Sequence, residues 1–282
     1  MYSIHREDFS SKEMMKKLVD LQNRVYFGKR IFTDKTFKHW YLDNPNGKVV
    51  SFNAFYEDVI VAHYALVPMK MLIEGKVVDG LLSMATVTDP AHQGKGLFKQ
   101  LAKETFNYAA EVGYKFVIGV ANANSYPGFI KYFNFQDIGK LDVMLGFSNK
   151  IIAKGDKKFS IYWTNEALKW RIRENYRKDC NNVYGTVGFG PFKTLFGVKT
   201  FMGNFSSNIL KTIGLKKNQN LLRPLNLYIG LGSNAKSKGY FRLPKFIKRS
   251  PFHLIFLDLT NGDLPKVDKE NIFFQLIDFD VV

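Results

Sequence analysis

Apolar residues recur at Leu18, Leu21 and Val25 in a segment that opens with Ser10-Ser11-Lys12-Glu13. That spacing predicts a helix over 11–26 with one buried face, and Ser followed three positions later by Glu has the capping-box spacing. A short helix is expected around 37–42, ended by the turn Asn44-Pro45-Asn46-Gly47. From Val49 the pattern changes to that of strands. Runs over 49–56, 59–67, 69–73 and 77–88 are parted by Glu57-Asp58 and Glu74-Gly75-Lys76, an antiparallel meander. After Asp89-Pro90 helical spacing returns. Leu97, Leu101, Phe106 and Ala109 share a face, and Gly113 suits the C-terminal cap. The apolar run 115–121 reads as a buried parallel strand. A loop with Asn124, a short helix with Pro127 near its start and a strand over 135–147 follow.

Helix, meander, helix, strand, helix, strand is the order of an α/β layer fold: a mixed central sheet with flanking helices, over 1–150. The polar, basic stretch 148–158 suggests a boundary. Residues 151–282 are expected to form an α+β region. It has helical spacing over 161–178 and 206–213, and strand-like runs over 183–187, 199–202, 225–229, 254–259 and 273–279. With 282 residues, 46% of them apolar, the chain can bury a sizeable core. No apolar run approaches the roughly 20 residues of a membrane helix. The start Met1-Tyr2-Ser3-Ile4-His5-Arg6 does not resemble a secretory leader. A cytoplasmic protein without membrane insertion is expected. The single cysteine, Cys180, excludes an internal disulfide framework and a multi-cysteine metal site, and no metal is expected.

Charge changes the picture. The net value is +16, and it is uneven. Residues 1–150 carry 19 Lys/Arg against 15 Asp/Glu, and residues 151–282 carry 22 against 10. A positive field of this kind attracts phosphates. The charges form no continuous stripe and no nucleic-acid motif is present, so a small phosphate-bearing ligand is expected rather than nucleic acid. Aromatic and basic residues mix in Trp170-Arg171-Ile172-Arg173 and in Tyr240-Phe241-Arg242-Leu243-Pro244-Lys245, where rings can stack while cations hold a diphosphate. Trp170 also fits the buried face of an amphipathic helix.

The segment with the most chemistry is Thr86-Val87-Thr88-Asp89-Pro90-Ala91-His92-Gln93-Gly94-Lys95-Gly96-Leu97-Phe98-Lys99. A strand ends, a glycine-rich turn follows and a helix begins at once. Unpaired N–H groups and the helix dipole make such a junction an anion site, and glycines let a diphosphate approach the backbone. The segment resembles the pyrophosphate signature of the GNAT acyltransferases, (Gln/Arg)-x-x-Gly-x-(Gly/Ala). Gln93 takes the first position, Gly96 the fourth, and Phe98 departs from the small sixth residue. The resemblance covers roughly residues 1–147. It implies a GNAT-type fold with acyl-CoA, acetyl or longer, as co-substrate. The strand end Thr86-Val87-Thr88 would pair with the pantetheine amides, Gln93–Lys99 would hold the pyrophosphate, and Asn124 would lie near the pantetheine arm.

The family's catalytic residues carry over poorly. Gly119 stands where many members have a Glu base, and Ile130 where many have a Tyr acid. Tyr126 is the nearby candidate acid. His63, on the strand 59–67, is the candidate base because its ordinary pKa, about 6.5, suits the role. The alternatives are a histidine satisfied within a strand, or catalysis by proximity alone. The segments Trp40-Tyr41-Leu42-Asp43-Asn44-Pro45, His63-Tyr64-Ala65-Leu66-Val67-Pro68 and Phe273-Phe274-Gln275-Leu276-Ile277-Asp278-Phe279-Asp280 resemble the two-part sugar N-acyltransferases of bacterial surface-polysaccharide pathways. That resemblance implies N-acylation of a dTDP- or UDP-linked amino sugar, with Trp40, Asn44, Arg171 and Arg242 as candidate acceptor contacts. Other small amines, protein amines, or a nucleic-acid-binding protein with a degenerate CoA site are the alternatives. The oligomeric state is left open, a homo-oligomer included.

Overall fold

In a computed structural model, all residues are described except 28–30, 173–176, 180–181, 186–198, 217–224, 244–251 and 280–282. Cys180, Arg173, Pro244, Lys245 and Asp280 lie outside the described residues.

The first half follows the expected order closely. Strand β1 (Ser3–Arg6) precedes helices α1 (Lys12–Val25) and α2 (Asp34–Tyr41). The meander is β2 (Val50–Tyr56), β3 (Val59–Ile73) and β4 (Lys76–Thr88). Then come α3 (Leu97–Glu111), β5 (Phe116–Ala121), α4 (Tyr126–Phe133) and β6 (Gln136–Lys140). Ser11 is the N-cap residue of α1, but its side chain makes no capping bond, so the capping-box spacing is not realised.

Two expected strands, 59–67 and 69–73, are one long β3 with Pro68 inside it. Proline lacks an N–H and is tolerated in a strand only where the neighbour makes no claim on that group. Here β2 pairs with β3 only as far as Leu66, and β8 (Phe159–Ile161) begins pairing at Met71. In the gap, Asn44 donates its side-chain amide to the Pro68 carbonyl at 2.9 Å. The expected strand 135–147 is two. The chain leaves the first sheet at Leu141 and enters a second as β7 (Asp142–Gly146).

The second half contains α5 (Asn165–Arg171), β9 (Arg177–Asp179), β10 (Asn182–Gly185) and β11 (Lys199–Asn204). It continues with α6 (Ser207–Ile213), β12 (Asn226–Leu231) and β13 (Phe241–Arg242). It closes with β14 (His253–Asp258), β15 (Ile272–Gln275) and a short 3-10 turn over Leu276–Asp278. The long helix expected over 161–178 is only α5, because Ile161 belongs to β8, which pairs with β3, and Arg177 begins β9.

β14 does not stay in the second half. It lies between β5 and β6, antiparallel to both, so the first sheet runs β1-β2-β3-β4-β5-β14-β6. The stretch from β7 to residue 252 is therefore inserted before the strand that completes that sheet. Helices α3 and α4 cover one face, burying Leu97, Leu101, Phe106 and Phe129 against Leu81 and Val117. Each such side chain contributes about 1.5–3 kcal/mol. Helices α1 and α2 pack against β2 and β3 through Leu18, Leu21, Phe37 and Tyr41. The second half covers the remainder through Leu82, Ile118, Phe256, Phe274 and Ile277. The result is the expected α/β fold: a mixed sheet with flanking helices and an attached α+β region.

Candidate active site

β4 and β5 run parallel, so their C-terminal ends open at the same edge. They pair only from Leu81↔Val117 to Ser83↔Gly119 and then part. The parting coincides with a bulge. Ala62↔Thr88 and His63↔Val87 are followed by Ala65↔Met84, so Tyr64 faces two residues of β4. Ala85, with φ 53°, takes the left-handed conformation that the bulge requires. Val87 and Thr88 thus stay paired to β3 on one side, with Thr86 in the bulge before them, while the other side of this strand end is free of β5. Free strand-edge N–H and C=O groups of this kind can pair with an extended amide-bearing ligand.

Directly beyond lies the turn. Asp89 accepts from Ala91 N–H and pairs with Arg24 at 3.1 Å, which fixes the exit from β4. Gln93 donates its side-chain amide to the Thr88 carbonyl at 3.3 Å. Gly94 and Gly96 have φ 73° and 74°, and a Cβ on either would meet nothing within 4 Å. The room beside them is open. Gly96 is the N-cap of α3, and the first-turn N–H groups of Leu97, Phe98 and Lys99 face outward without intrahelical partners. The exposed Lys95 and Lys99 add charge there, with the Lys99 ammonium 5.0 Å above the Tyr132 ring. Phe98 packs edge-on against Phe129 and Phe133. The larger residue is accommodated by Gly128, whose absent Cβ would sit 3.0 Å from the Phe98 ring. The loop residues fit a diphosphate, and the parted strands fit the amide arm that would follow it.

Asn124 is exposed in the loop after β5, at the same edge. Its N–H is held by the Asn122 side-chain oxygen at 2.9 Å, which also accepts from Ser125 N–H. Asn122 is thus the residue that shapes this loop, and the sequence reading passed over it. Gly119 is packed against Ser83, 3.0 Å from the position of a Cβ. A glutamate there has no room while Ser83 stands opposite. Ser83 itself is hydrogen-bonded to the Tyr64 hydroxyl at 2.8 Å.

The two catalytic candidates do not meet at the opening. His63 is fully buried, packed against Phe9 and against Tyr41 of α2. Nδ1 lies 2.7 Å from the Asn53 side-chain oxygen, and Nε2 lies 2.8 Å from the Tyr41 hydroxyl. The consistent tautomer has Nδ1–H donating to Asn53 and Tyr41 O–H donating to Nε2. Burial lowers its pKa to about 3. A ring sealed in this way is a core histidine without access to an acceptor amine, which corrects its assignment as base. The shift has a stability consequence. The folded pKa lies below the unfolded value of about 6.5, so the contribution is complete above that pH and is lost as pH falls toward 3. Replacing His63→Gln should leave acyl transfer unchanged between pH 6 and 8 and flatten the acid side of the stability profile. Thermal unfolding between about pH 6.5 and 4 checks this.

Tyr126, at the start of α4, donates its hydroxyl to Asp137 at 2.8 Å. That bond, together with burial, raises its pKa. Its ring lies 4.0 Å from that of His253, whose Nδ1 is 3.4 Å from Asp137. A proton shared with a carboxylate makes Tyr126 a weaker acid than the sequence reading assumed.

The acceptor candidates separate. Trp40 and Arg171 come together, with the guanidinium carbon 4.9 Å above the Trp40 ring. Arg171 is buried and donates to the Ile277 and Phe279 carbonyls, which anchors the chain end. Asn44 is buried, and both ends of its side chain serve the backbone, at Pro68 and Asn46. Its role is structural, in place of an acceptor contact. Arg242 is exposed and paired with Asp142 at 2.7 Å, on β13 in the second sheet. Among the described residues no group of three or more His, Cys, Asp or Glu is placed to hold a metal ion. No helix among them is long and apolar enough to cross a membrane.

Residues 9–137 match the family model described as an acetyltransferase (GNAT) domain. No curated protein matches the chain. Among solved structures, a probable N-acyltransferase from Enterococcus faecalis V583, a conserved protein of unknown function, is similar at TM-score 0.58 and 11% identity. The match covers 92% of this chain and 73% of that one. A GCN5-related N-acetyltransferase from Kribbella flavida is similar at TM-score 0.57 and 10% identity, covering 90% and 71%. Both extend over the second half, so the inserted region belongs to a fold that those proteins share. Residues 9–137 thus match an acetyltransferase (GNAT) domain, and a strand from the second half completes the sheet of that region.

Proposed function

We propose that the protein moves an acyl group from acyl-CoA to the amine of a nucleotide-linked amino sugar, by direct attack within a ternary complex. The observation that carries the acyl-CoA part is the parting of β4 and β5 beyond Ser83 and Gly119, immediately before the open, glycine-rich start of α3. In this reading the α3 N–H groups, Lys95 and Lys99 hold the pyrophosphate, and Thr86–Thr88 align the arm. Holding the thioester and the amine together supplies a large part of the rate, worth several kcal/mol.

Two features support a phosphate-bearing acceptor. The second half carries 22 Lys/Arg against 10 Asp/Glu, and it borders a cleft on the face of β4 opposite α3. Trp40, Tyr162, Trp163 and Trp170 are among the residues that line it, and rings of this kind can stack on a sugar or a base. The test is calorimetric titration with dTDP and UDP on protein holding CoA, followed by acetyl transfer to the matching amino sugars. Binding of one nucleotide and N-acylation of its amino sugar is expected. Acyl transfer to simple amines, with no affinity for either nucleotide, would replace the nucleotide sugar by another small amine.

A further inference from the structure

Two segments of the second half lie side by side at the surface. One is 147–154, which leaves β7, and the other is 232–241, which leads into β13. Asn234 joins them. Its N–H donates to the Ile152 carbonyl and its side-chain oxygen accepts from the Ile152 N–H, both at 3.0 Å. Its side-chain amide donates to the Lys150 carbonyl at 3.3 Å. The Lys154 N–H donates to the Gly232 carbonyl, and the Tyr240 hydroxyl to the Ser148 carbonyl, both at 2.8 Å. Ile151, Ala235 and Tyr240 anchor the pair in a core with Met144 and Tyr228. The two segments therefore form one fixed platform.

What the platform turns outward is of two kinds. Phe147, Ile152 and Phe241 are 64%, 52% and 53% exposed. Phe241 is paired in register with Leu145, and Phe147 follows Leu145 by two residues. That spacing places Phe147 diagonally across from Phe241, about 7–8 Å away. A single exposed apolar side chain is ordinary, but three on hydrogen-bonded segments call for a partner. The same segments carry the exposed Lys150, Lys154, Lys236 and Lys238, and neither contains an Asp or Glu. None of these lysines has an ion-pair partner among the described residues, whereas Arg242 beside them is paired with Asp142. Like charges gathered without counter-charges repel, and an anionic partner removes that repulsion.

We infer that this surface docks on an anionic lipid bilayer, with the lysines against the headgroup phosphates and Phe147, Ile152 and Phe241 entering the headgroup layer. Apolar burial and attraction to anionic headgroups add in binding of this kind. The docking is peripheral and requires no spanning helix. Nucleic acid would satisfy the lysines, but it would leave Ile152, which has no ring to stack on a base, uncovered. The inference goes beyond the acyltransferase reading and does not depend on it.

Sedimentation of the full chain with lipid vesicles tests it. The protein should pellet with vesicles of mixed phosphatidylglycerol and phosphatidylcholine, and stay in solution with phosphatidylcholine alone. Added salt should weaken the association. Lys150→Glu together with Lys236→Glu should weaken it by about tenfold or more. Lys12→Glu with Lys16→Glu, at exposed positions of α1, changes the net charge equally and should leave it within about twofold. Phe147→Ser with Ile152→Ser should weaken it by about tenfold although every lysine remains. All of these side chains are exposed, so each variant should melt as the parent does. No sedimentation with the anionic vesicles, equal sedimentation with the neutral ones, or an equal loss from the α1 pair overturns the proposal. So does vesicle binding that the Phe147 and Ile152 pair leaves unchanged; competition by duplex DNA would then mark a nucleic-acid surface. Acetyl-CoA binding should be the same in every variant, and its absence from the parent protein would strike the acyltransferase reading alone.

Discussion

Gly96→Glu should weaken CoA binding by about 100-fold or more, to below detection at ordinary calorimetric concentrations, with the fold intact. Gly96 holds φ 74° at the N-cap of α3, with open space around it. A Cβ there meets no protein atom within 4 Å, so the core is not disturbed. The cost comes from three sources. A non-glycine residue in the left-handed region costs about 1–2 kcal/mol. A carboxylate occupies the place where the helix terminus, worth up to about 2 kcal/mol to an anion, would hold phosphate. It also repels that phosphate directly. Gly96→Ala carries the strain without the charge and should fall between the two. Equal affinity for CoA in Gly96→Glu and the parent protein would show that the turn is only a connection.

A chain cut after residue 150 should not fold cooperatively, and this is the second large effect. The cut removes β14, which contributes six register pairs to β5 and four to β6. Leu254, Ile255 and Phe256 are 0–3% exposed. At about 1.5–3 kcal/mol each, their burial is comparable to the whole stability of an ordinary domain, roughly 5–15 kcal/mol. The cut also leaves β5 as an apolar open edge, which invites aggregation. Thermal unfolding by circular dichroism should show no cooperative transition for 1–150, and coexpression with 151–282 should restore soluble material. A sharply melting, CoA-binding 1–150 fragment would contradict the strand assignment's energetic weight.

The first half was legible because its signals are local. Strand periodicity, the Glu57-Asp58 and Glu74-Gly75 turns, and the glycines at 94 and 96 each act over a few residues. What escaped depends on distant partners. Pro68 argues locally for a break, yet Asn44 fills the missing pairing and β3 runs through. The strand near 254–259 was visible as a strand, but its insertion between β5 and β6 follows from pairing more than a hundred residues away. Residues 161–178 have helical spacing, but β3 and β15 claim 159–161 as a strand. The site divides in the same way. The anion turn could be read from Gln93–Lys99 alone. His63 was selected for its ordinary pKa, but Phe9, Asn53 and Tyr41 surround it in the fold.

The central claim is that the turn at α3 and the parted strands β4 and β5 hold acyl-CoA. Calorimetric titration of the full chain with acetyl-CoA tests it most directly. Saturable binding, weakened by added salt because phosphate charges contribute and lost in Gly96→Glu, is the predicted result. A folded protein that takes up no acetyl-CoA, or takes it up equally well with Gly96→Glu, would contradict it.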